Sequence, residues 1–409
     1  MAMAVDPTPV AGQRRQDSLM PMSKPRAPQP SASECVTSRL IQEEDDWDAI
    51  RPQWEALYAG SSSPSPALDF AWLRTWWQVY GSVYGKGGLQ IVTIWRGTRL
   101  IGALPLYESS SDGSRFGVRQ LRFLSTGEEE YEETCPDYLN MLCLRGEEET
   151  CLGAIWRCVE RLDWDHLELL DIPEGAPLAR SRALAGQART IARGTCPVAD
   201  LAGGFETYLG RLSANSRQQA RRLLREAQRD GATFELVAAD EATGAFDDLV
   251  RLHQARWAAE GKQGVFAAPR FTTFHREIVR QWLPAGRAVL ARLSVDGEPV
   301  AVIYGFLTGS RFDFYQSGVR RDGAGRLRSP GHLAHLLLMR SLAETGVAAY
   351  DFLSGASSYK TRLATRENLL VGVRIWRPTL RAMTCRSVRL AAWVTRRGLR
   401  SLSTTMVER

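Results

Sequence analysis

No two of the seven cysteines in this 409-residue chain stand in a CxxC spacing, and the seven are scattered. Neither a disulfide framework nor a zinc finger is indicated. No uninterrupted apolar run reaches 18 residues, which excludes a helix spanning a membrane by hydrophobicity. The opening MAMAVDPTPVAGQRRQD lacks the apolar core of a secretion signal. These absences predict a protein of the reducing cytoplasm. The five histidines include no HExxH pattern, so no metal is expected. His332 and His335 lie three apart on one predicted helix, but no neighbouring Cys or carboxylate completes a ligand set.

What is present is ordinary for a folded enzyme-sized chain: 44% hydrophobic and 24% charged residues, which excludes a disordered or fibrous protein. The net charge of +6 is unevenly placed. From Trp376 to Arg409 there are eight Arg and one Glu, a balance of +7, leaving the remainder at −1. The body is nearly neutral, and the basic pI argues nothing about nucleic acid.

Residues 1–34 are rich in Pro, Ser and Ala without periodicity and read as a disordered leader. Trp47, Ile50, Trp54 and Leu57 fall at helical spacing. A helix over Leu73 to Tyr80 carries Trp76 and Trp77, as core or as a ligand groove. Leu89 to Trp95 and Leu100 to Tyr107 form a hairpin around Arg96-Gly97. Strands are predicted over Leu121 to Leu124, Tyr138 to Leu144 and Leu167 to Ile172, with helices over Glu147 to Arg161 and Pro177 to Ala188. A similar order recurs: a hairpin around Asp296-Gly297, a strand over Arg311 to Ser317, a helix over Pro330 to Thr345 and strands from Ala349 and Val371. The hairpins begin 199 residues apart, at Leu89 and Ala288. This predicts an α/β chain with mixed α+β sheets and two domains of one design, 35–195 and 196–376, followed by a basic tail over 377–409. The tail's Arg residues interleave with apolar ones, so it is either an amphipathic contact to a membrane or partner, or a solvated segment.

The chemistry points to Arg326 to Leu336, RLRSPGHLAHL. Ser329 is placed to cap the helix and Pro330 to fill its first turn. Gly331 allows close approach to the backbone. Arg326, Arg328 and the first-turn amides at Gly331 and His332 would attract a diphosphate. The equivalent helix in the first half is preceded by Glu147, Glu148 and Glu149, which repel one. Asp351, inside a buried-type strand, is either a structural acceptor or a base for an incoming amine or hydroxyl. Lys360 is either exposed or an aid to charge on the donor, and His332 either packs or serves as a neutral base. Tyr315 and Gln316, at the end of a strand, and the stretch His253, Arg256, Trp257 are candidates for the acceptor side. Arg217, Arg221, Arg225 and Arg229 share a helix face that either grips phosphates or is simply solvated. The acidic loop GEEEYEE reads as solvated.

Several segments together resemble the CelD-like, or BioF2-like, acyltransferase family of the GNAT superfamily: FAWLRTWWQVYG, LIGALPLY, LRFLSTG, YLN, SANSRQQARRLLREA, LHQARW, YQSG, SPGHLAHLLLMRS and YDFLSGASSYKTRLA. The resemblance runs from about Trp72 to Trp376. It implies tandem GNAT-like domains in the arrangement of Fem-type transferases. It also implies acyl-CoA as co-substrate, its diphosphate at Ser329-Pro330-Gly331-His332, although the full family glycine pattern is missing. Lys360 would fill a basic position that follows the Asp-bearing strand. The implied acceptor is a small molecule or a cell-envelope or exopolysaccharide precursor, with a polysaccharide-synthesis or inner-membrane partner for the tail. Two alternatives accompany this reading: tRNA-dependent aminoacyl transfer and a non-catalytic accessory role.

Overall fold

The computed structural model describes residues 35–110, 117–180, 188–320, 327–355 and 357–384, with 387. The predicted leader, Arg326 and nearly all of the basic tail beyond 384 lie outside the described residues. The first half runs β1 (Val36–Ile41), α1 (Glu44–Ala49), α2 (Arg51–Ala59), α3 (Phe70–Tyr84), β2 (Ile91–Arg96), β3 (Arg99–Leu104), β4 (Leu106–Ser110), β5 (Arg119–Phe123), β6 (Leu142–Cys143), α4 (Glu148–Val159), β7 (His166–Pro173) and α5 (Pro177–Arg180). The second continues with β8 (Ala188–Asp200), α6 (Phe205–Arg211), α7 (Ala214–Arg229), β9 (Thr233–Leu236), α8 (Ala242–Ala259), α9 (Pro269–Trp282), β10 (Ala288–Val295), β11 (Glu298–Thr308), β12 (Arg311–Val319), α10 (Pro330–Glu344), β13 (Ala349–Asp351), α11 (Ser358–Leu363) and β14 (Arg366–Trp376).

Local chemistry explains the main elements. Asp69 caps α3 by accepting from the Ala71 amide at 2.8 Å. Trp72, Leu73, Trp76 and Tyr80 then recur at helical spacing and are fully buried, which places the tryptophan-rich segment in the core. The hairpin of β10 and β11 turns at Asp296 and Gly297, both at positive φ (51° and 81°), the two left-handed residues that an Asp-Gly turn supplies. Along α7, Ala220, Leu223, Leu224 and Ala227 are buried on one face and the arginines occupy the other.

Four strands form one sheet in the order β1-β2-β3-β6. Ten form another, in the order β4-β5-β7-β14-β8-β13-β12-β11-β10-β9. The architecture is the expected α/β one with mixed sheets: β5 pairs parallel with β7 after the crossover through α4, and β12 pairs parallel with β13 after α10. Both halves share the long sheet, because β14 pairs with β7 on one side and β8 on the other. Cys196, the expected meeting point, falls inside β8.

Three expectations need correction. The strand predicted over Tyr138 to Leu144 shrinks to Leu142–Cys143, since Pro136 precedes it and Tyr138 adopts φ 60°, outside extended geometry. The helix predicted to Ala188 cannot reach it, because Ala188 begins β8. The GEEEYEE loop is not uniformly solvated. Glu128 and Glu132 are buried, Glu128 accepting from Trp76 and Thr134, Glu132 from Tyr84 at 2.6 Å and Arg270 at 3.1 Å. No metal-ligating cluster of three occurs among the described residues, and no helix there is long and apolar enough to cross a membrane.

Candidate active site

The site grows from the way β12 and β13 part company. They pair only at Arg311–Asp313 against Ala349–Asp351. β12 then continues through Val319 with no strand on that side among the described residues. The result is a wedge whose vertex is Asp313/Asp351 and whose open end meets the start of α10. A Cβ on Gly331 would stand 3.2 Å from Cγ2 of Val319, so glycine is what lets the helix begin against the strand's end.

Ser329 does not cap this helix as expected. It has φ −148° and ψ 67° and its side chain makes no capping bond, although its carbonyl accepts from Leu333 at 3.1 Å. The first-turn amides therefore receive no acceptor from it. They open on a cleft of about 380 Å³ whose lining includes Arg256, Arg320, Arg328, Gly331, His332 and Tyr359. Among the described residues that lining holds three arginines and no carboxylate. Helix N-terminus and guanidinium groups act together here, which suits a doubly anionic group. Val319 and Leu327 add an apolar wall.

The structure brings together Arg256, Arg328, Ser329, Pro330, Gly331 and His332 around this cleft. His335, which by sequence stands out only as a possible metal ligand, joins them. Its Nδ1 lies 2.7 Å from the Tyr350 hydroxyl, its ring stacks on Tyr359, and burial pushes its pKa down to about 3. His332 is half-buried, 5.4 Å from the Tyr359 ring, and burial with nearby Arg362 lowers its pKa.

Other candidates sit elsewhere. His253 accepts from the Trp257 indole at Nε2 (2.9 Å), so Nδ1 carries the proton and donates to Gln254 at 3.0 Å. Burial pushes its pKa down to about 4, and both ring nitrogens are occupied. The Tyr315 hydroxyl donates to the Thr134 carbonyl at 2.6 Å and lies 2.9 Å from His275. Gln316 accepts from the Ser317 amide at 3.3 Å. Neither Tyr315 nor Gln316 lines the arginine-rich cleft. Lys360 donates to the carbonyls of Phe352 and Ser354, both at 2.9 Å, and burial lowers its pKa.

Asp351 is fully buried at the vertex. It accepts from the Tyr138 hydroxyl at 2.5 Å and from the Leu353 amide at 2.8 Å, with the Asn368 amide at 3.5 Å. Burial, and then the neighbouring Asp313 carboxylate, raise its pKa to about 6. Sequence alone assigns no site role to Tyr138 or Asn368: the Tyr138–Asp351 contact spans 213 positions, and Asn368, though 17 positions from Asp351, lies on another strand. The positive φ of Tyr138 gives no sequence signal.

Residues 214–361 match the family model described as an acetyltransferase (GNAT) domain. The matched span covers α7 through most of α11 and so contains the wedge and the arginine-rich cleft. No curated protein matches the chain in sequence. Among solved structures the chain is similar to FemX, with TM-score 0.54 and 10% identity over 78% of this chain and 95% of that one. It is also similar to L-PGS from Bacillus licheniformis, with TM-score 0.50 and 11% identity over 83% and 96%. A third is the C-terminal DUF2156 domain of an Agrobacterium fabrum protein named for lysylphosphatidylglycerol synthesis, with TM-score 0.50 and 13% identity over 84% and 96%. These likenesses are of fold. Residues 214–361 thus match an acetyltransferase (GNAT) domain, and they sit within a mixed α/β fold similar to that of FemX.

Proposed function

We propose that the protein transfers an acyl group from acyl-CoA to an amine or hydroxyl by direct attack. The observation that carries this reading is the start of α10, without a side-chain cap, opening on a cleft with three arginines and no acid among the described residues. The residues fit a diphosphate: free first-turn amides, a glycine where a Cβ would crowd Val319, and surrounding guanidinium groups. Bound there, the donor would supply an activated thioester. Its acyl arm would follow β12 from Val319 toward Asp351. Along that path the unpaired edge of β12 presents backbone groups to the arm's amides, as an added strand would meet them.

Asp351 accepts the proton released by the nucleophile, and its raised pKa keeps it effective near neutrality. His332 stays neutral beside the diphosphate. Lys360 fixes the loop after β13 and sets a positive charge near Asp351. We propose also that 35–195 and 196–376 are two GNAT-like units joined through one sheet, only the second holding the donor. The CelD-like resemblance adds a cell-envelope or polysaccharide precursor as the acceptor. Titration calorimetry with acetyl-CoA tests the donor site. Micromolar binding that falls more than tenfold in Gly331→Glu supports it, and equal binding in that variant rejects it.

A second reading, aminoacyl transfer from tRNA, draws on the arginine face of α7. Arg221 and Arg222 have carboxylates at 3.7 and 3.5 Å and Arg229 one at 3.1 Å, and Arg225 has no ion-pair partner among the described residues. Salt-sensitive retention of tRNA on a filter would favour it.

A further inference from the structure

Where β12 and β13 part, each chain segment carries one aromatic residue just past the last pair, Phe314 on one side and Phe352 on the other. His335 of α10 stands over both. Its ring meets Phe314 edge-on with centroids 4.7 Å apart and Phe352 at 5.5 Å, and it stacks on Tyr359 at 5.4 Å. The residue is only 2% exposed, yet it lines the donor cleft. The imidazole thus sits where the cleft runs into the notch between the strands.

The hydrogen bonds fix which ring nitrogen carries the proton. Nδ1 lies 2.7 Å from the Tyr350 hydroxyl, which is fully buried and has no other partner among the described residues. A buried phenol O–H left unpaired is costly, and Nδ1 is the acceptor within its reach. Tyr350 therefore donates, Nδ1 accepts, and the proton of the neutral ring is on Nε2. The ring is neutral because burial, with His332 and the Lys360 ammonium nearby, opposes a charge on it. Nε2 has no hydrogen-bond partner among the described residues. It is not sealed off, as the indole nitrogens of Trp47 and Trp72 are, and so keeps its access to the cleft. A neutral N–H, oriented by a phenol behind it and by aromatic rings around it, is left for whatever enters.

From this geometry we infer that His335 donates a hydrogen bond from Nε2 to the thioester carbonyl oxygen of the donor, and that Tyr350 is the positioning residue that keeps the proton there. The inference rests on the donor reading above. A preformed N–H strengthens as negative charge grows on the carbonyl oxygen, and it needs no reorganisation to do so. As the nucleophile's lone pair forms the new bond, the π pair of the carbonyl moves to oxygen, against the Nε2 proton, which stays on nitrogen. The pair then returns, the C–S bond breaks and sulfur leaves with its electrons. The nucleophile's proton passes to Asp351 and on to the thiolate, so His335 ends as it began.

The experiment uses the full chain, acetyl-CoA and, as a control without a thioester, CoA. Nitrogen NMR of isotope-labelled histidine rings, with the His335 signals assigned from His335→Gln, reads the tautomer. The free protein should show the proton on Nε2, and acetyl-CoA should move that proton downfield where CoA does not. Infrared spectra of acetyl-CoA, isotope-labelled at the thioester carbonyl, read the other partner. The carbonyl band should fall in frequency on binding to wild type. That fall should be lost in His335→Leu and partly kept in His335→Gln, whose side-chain amide supplies an N–H in place of the ring's. Calorimetry should place acetyl-CoA affinity within about threefold of wild type in both variants, because the arginines and helix amides are untouched. Thermal unfolding checks that each variant is folded at the temperature used, and the wild-type spectra decide even where one is not. A wild type that does not bind acetyl-CoA overturns the donor reading and this inference with it. Binding with the proton on Nδ1, with equal shifts from CoA and acetyl-CoA, or with an unshifted carbonyl band overturns this inference alone.

Discussion

The Tyr138 hydroxyl donates to Oδ2 of Asp351 at 2.5 Å across 213 positions of sequence. This bond ties a loop of the first half to the vertex of the wedge in the second. The other oxygen of the same carboxylate accepts from the Leu353 amide, for which Leu353 takes φ 54°. Two bulky residues thus hold left-handed backbone on either side of one buried acid, a concentration of strain that packing must offset.

Asp351 should set the acid limb of the activity profile. Its surroundings combine the Asp313 carboxylate, the Arg311 guanidinium and the Tyr138 phenol with Asp137, Cys196 and the Lys360 ammonium. Burial dominates and its pKa stands at about 6. The carboxylate is the working form, so kcat should fall about tenfold per pH unit below about 6 and level off above it. Asp351→Asn should lose that limb and run about 100-fold slower at pH 7.5. A kcat profile from pH 5 to 8 checks both.

Asp137 offers a stability test of opposite sense to the usual carboxylate. Burial first, with Asp171 and Asp351 nearby, raises its pKa to about 7, against the hydrogen bond from Ser354 that lowers it. The folded protein thus holds this proton more tightly than the unfolded chain. Stability from this group is full at pH 4 and is lost as pH rises through about 7. Asp137→Asn keeps an oxygen for the Ser354 amide, now 2.7 Å from Oδ2. It should stabilise by about 1–3 kcal/mol at pH 8 and by nothing at pH 4. Urea unfolding at the two pH values measures the difference.

Much of this arrangement was legible beforehand. Asp296-Gly297 announced its hairpin because only certain residues accept two positive φ values in succession. The SPGH segment announced a helix start because Pro fits the first turn, and Gly331 proved to sit against Val319. The capping role expected of Ser329 depended on a φ/ψ pair that sequence does not encode. By sequence Tyr138 belongs to a strand because its neighbours are apolar. Its contact with Asp351 is made by tertiary packing, for which local periodicity carries no signal. His253 looked functional beside Arg256 and Trp257, yet the indole that follows one turn later occupies its ring.

Lys360 should prove chiefly a tether. Its ammonium holds two carbonyls, Phe352 and Ser354, in the loop that follows Asp351. Lys360→Met leaves both without that donor and should cost about 1–3 kcal/mol. Because it does not line the arginine-rich cleft, acetyl-CoA affinity should change less than threefold at temperatures where the variant is folded. A large affinity loss in a fully folded variant would make it a direct ligand of the donor instead.

The contact between Gly331 and Val319 permits a double-mutant cycle. A Cβ at 331 would approach Val319 Cγ2 to 3.2 Å, tighter than ordinary packing, so helix or strand must yield by a few tenths of an ångström. Gly331→Ala alone should weaken acetyl-CoA binding about 3–10-fold by tilting the first-turn amides away from the diphosphate. Val319→Ala alone, which trims the cleft wall, should weaken it about twofold through lost apolar contact. Combined, the smaller partner makes room for the new methyl group, and the pair should bind within about twofold of Val319→Ala. Residues in contact couple by roughly 0.5–3 kcal/mol, large enough to read by calorimetry. Simple additivity would mean that Gly331 matters for backbone freedom rather than for its closeness to the strand.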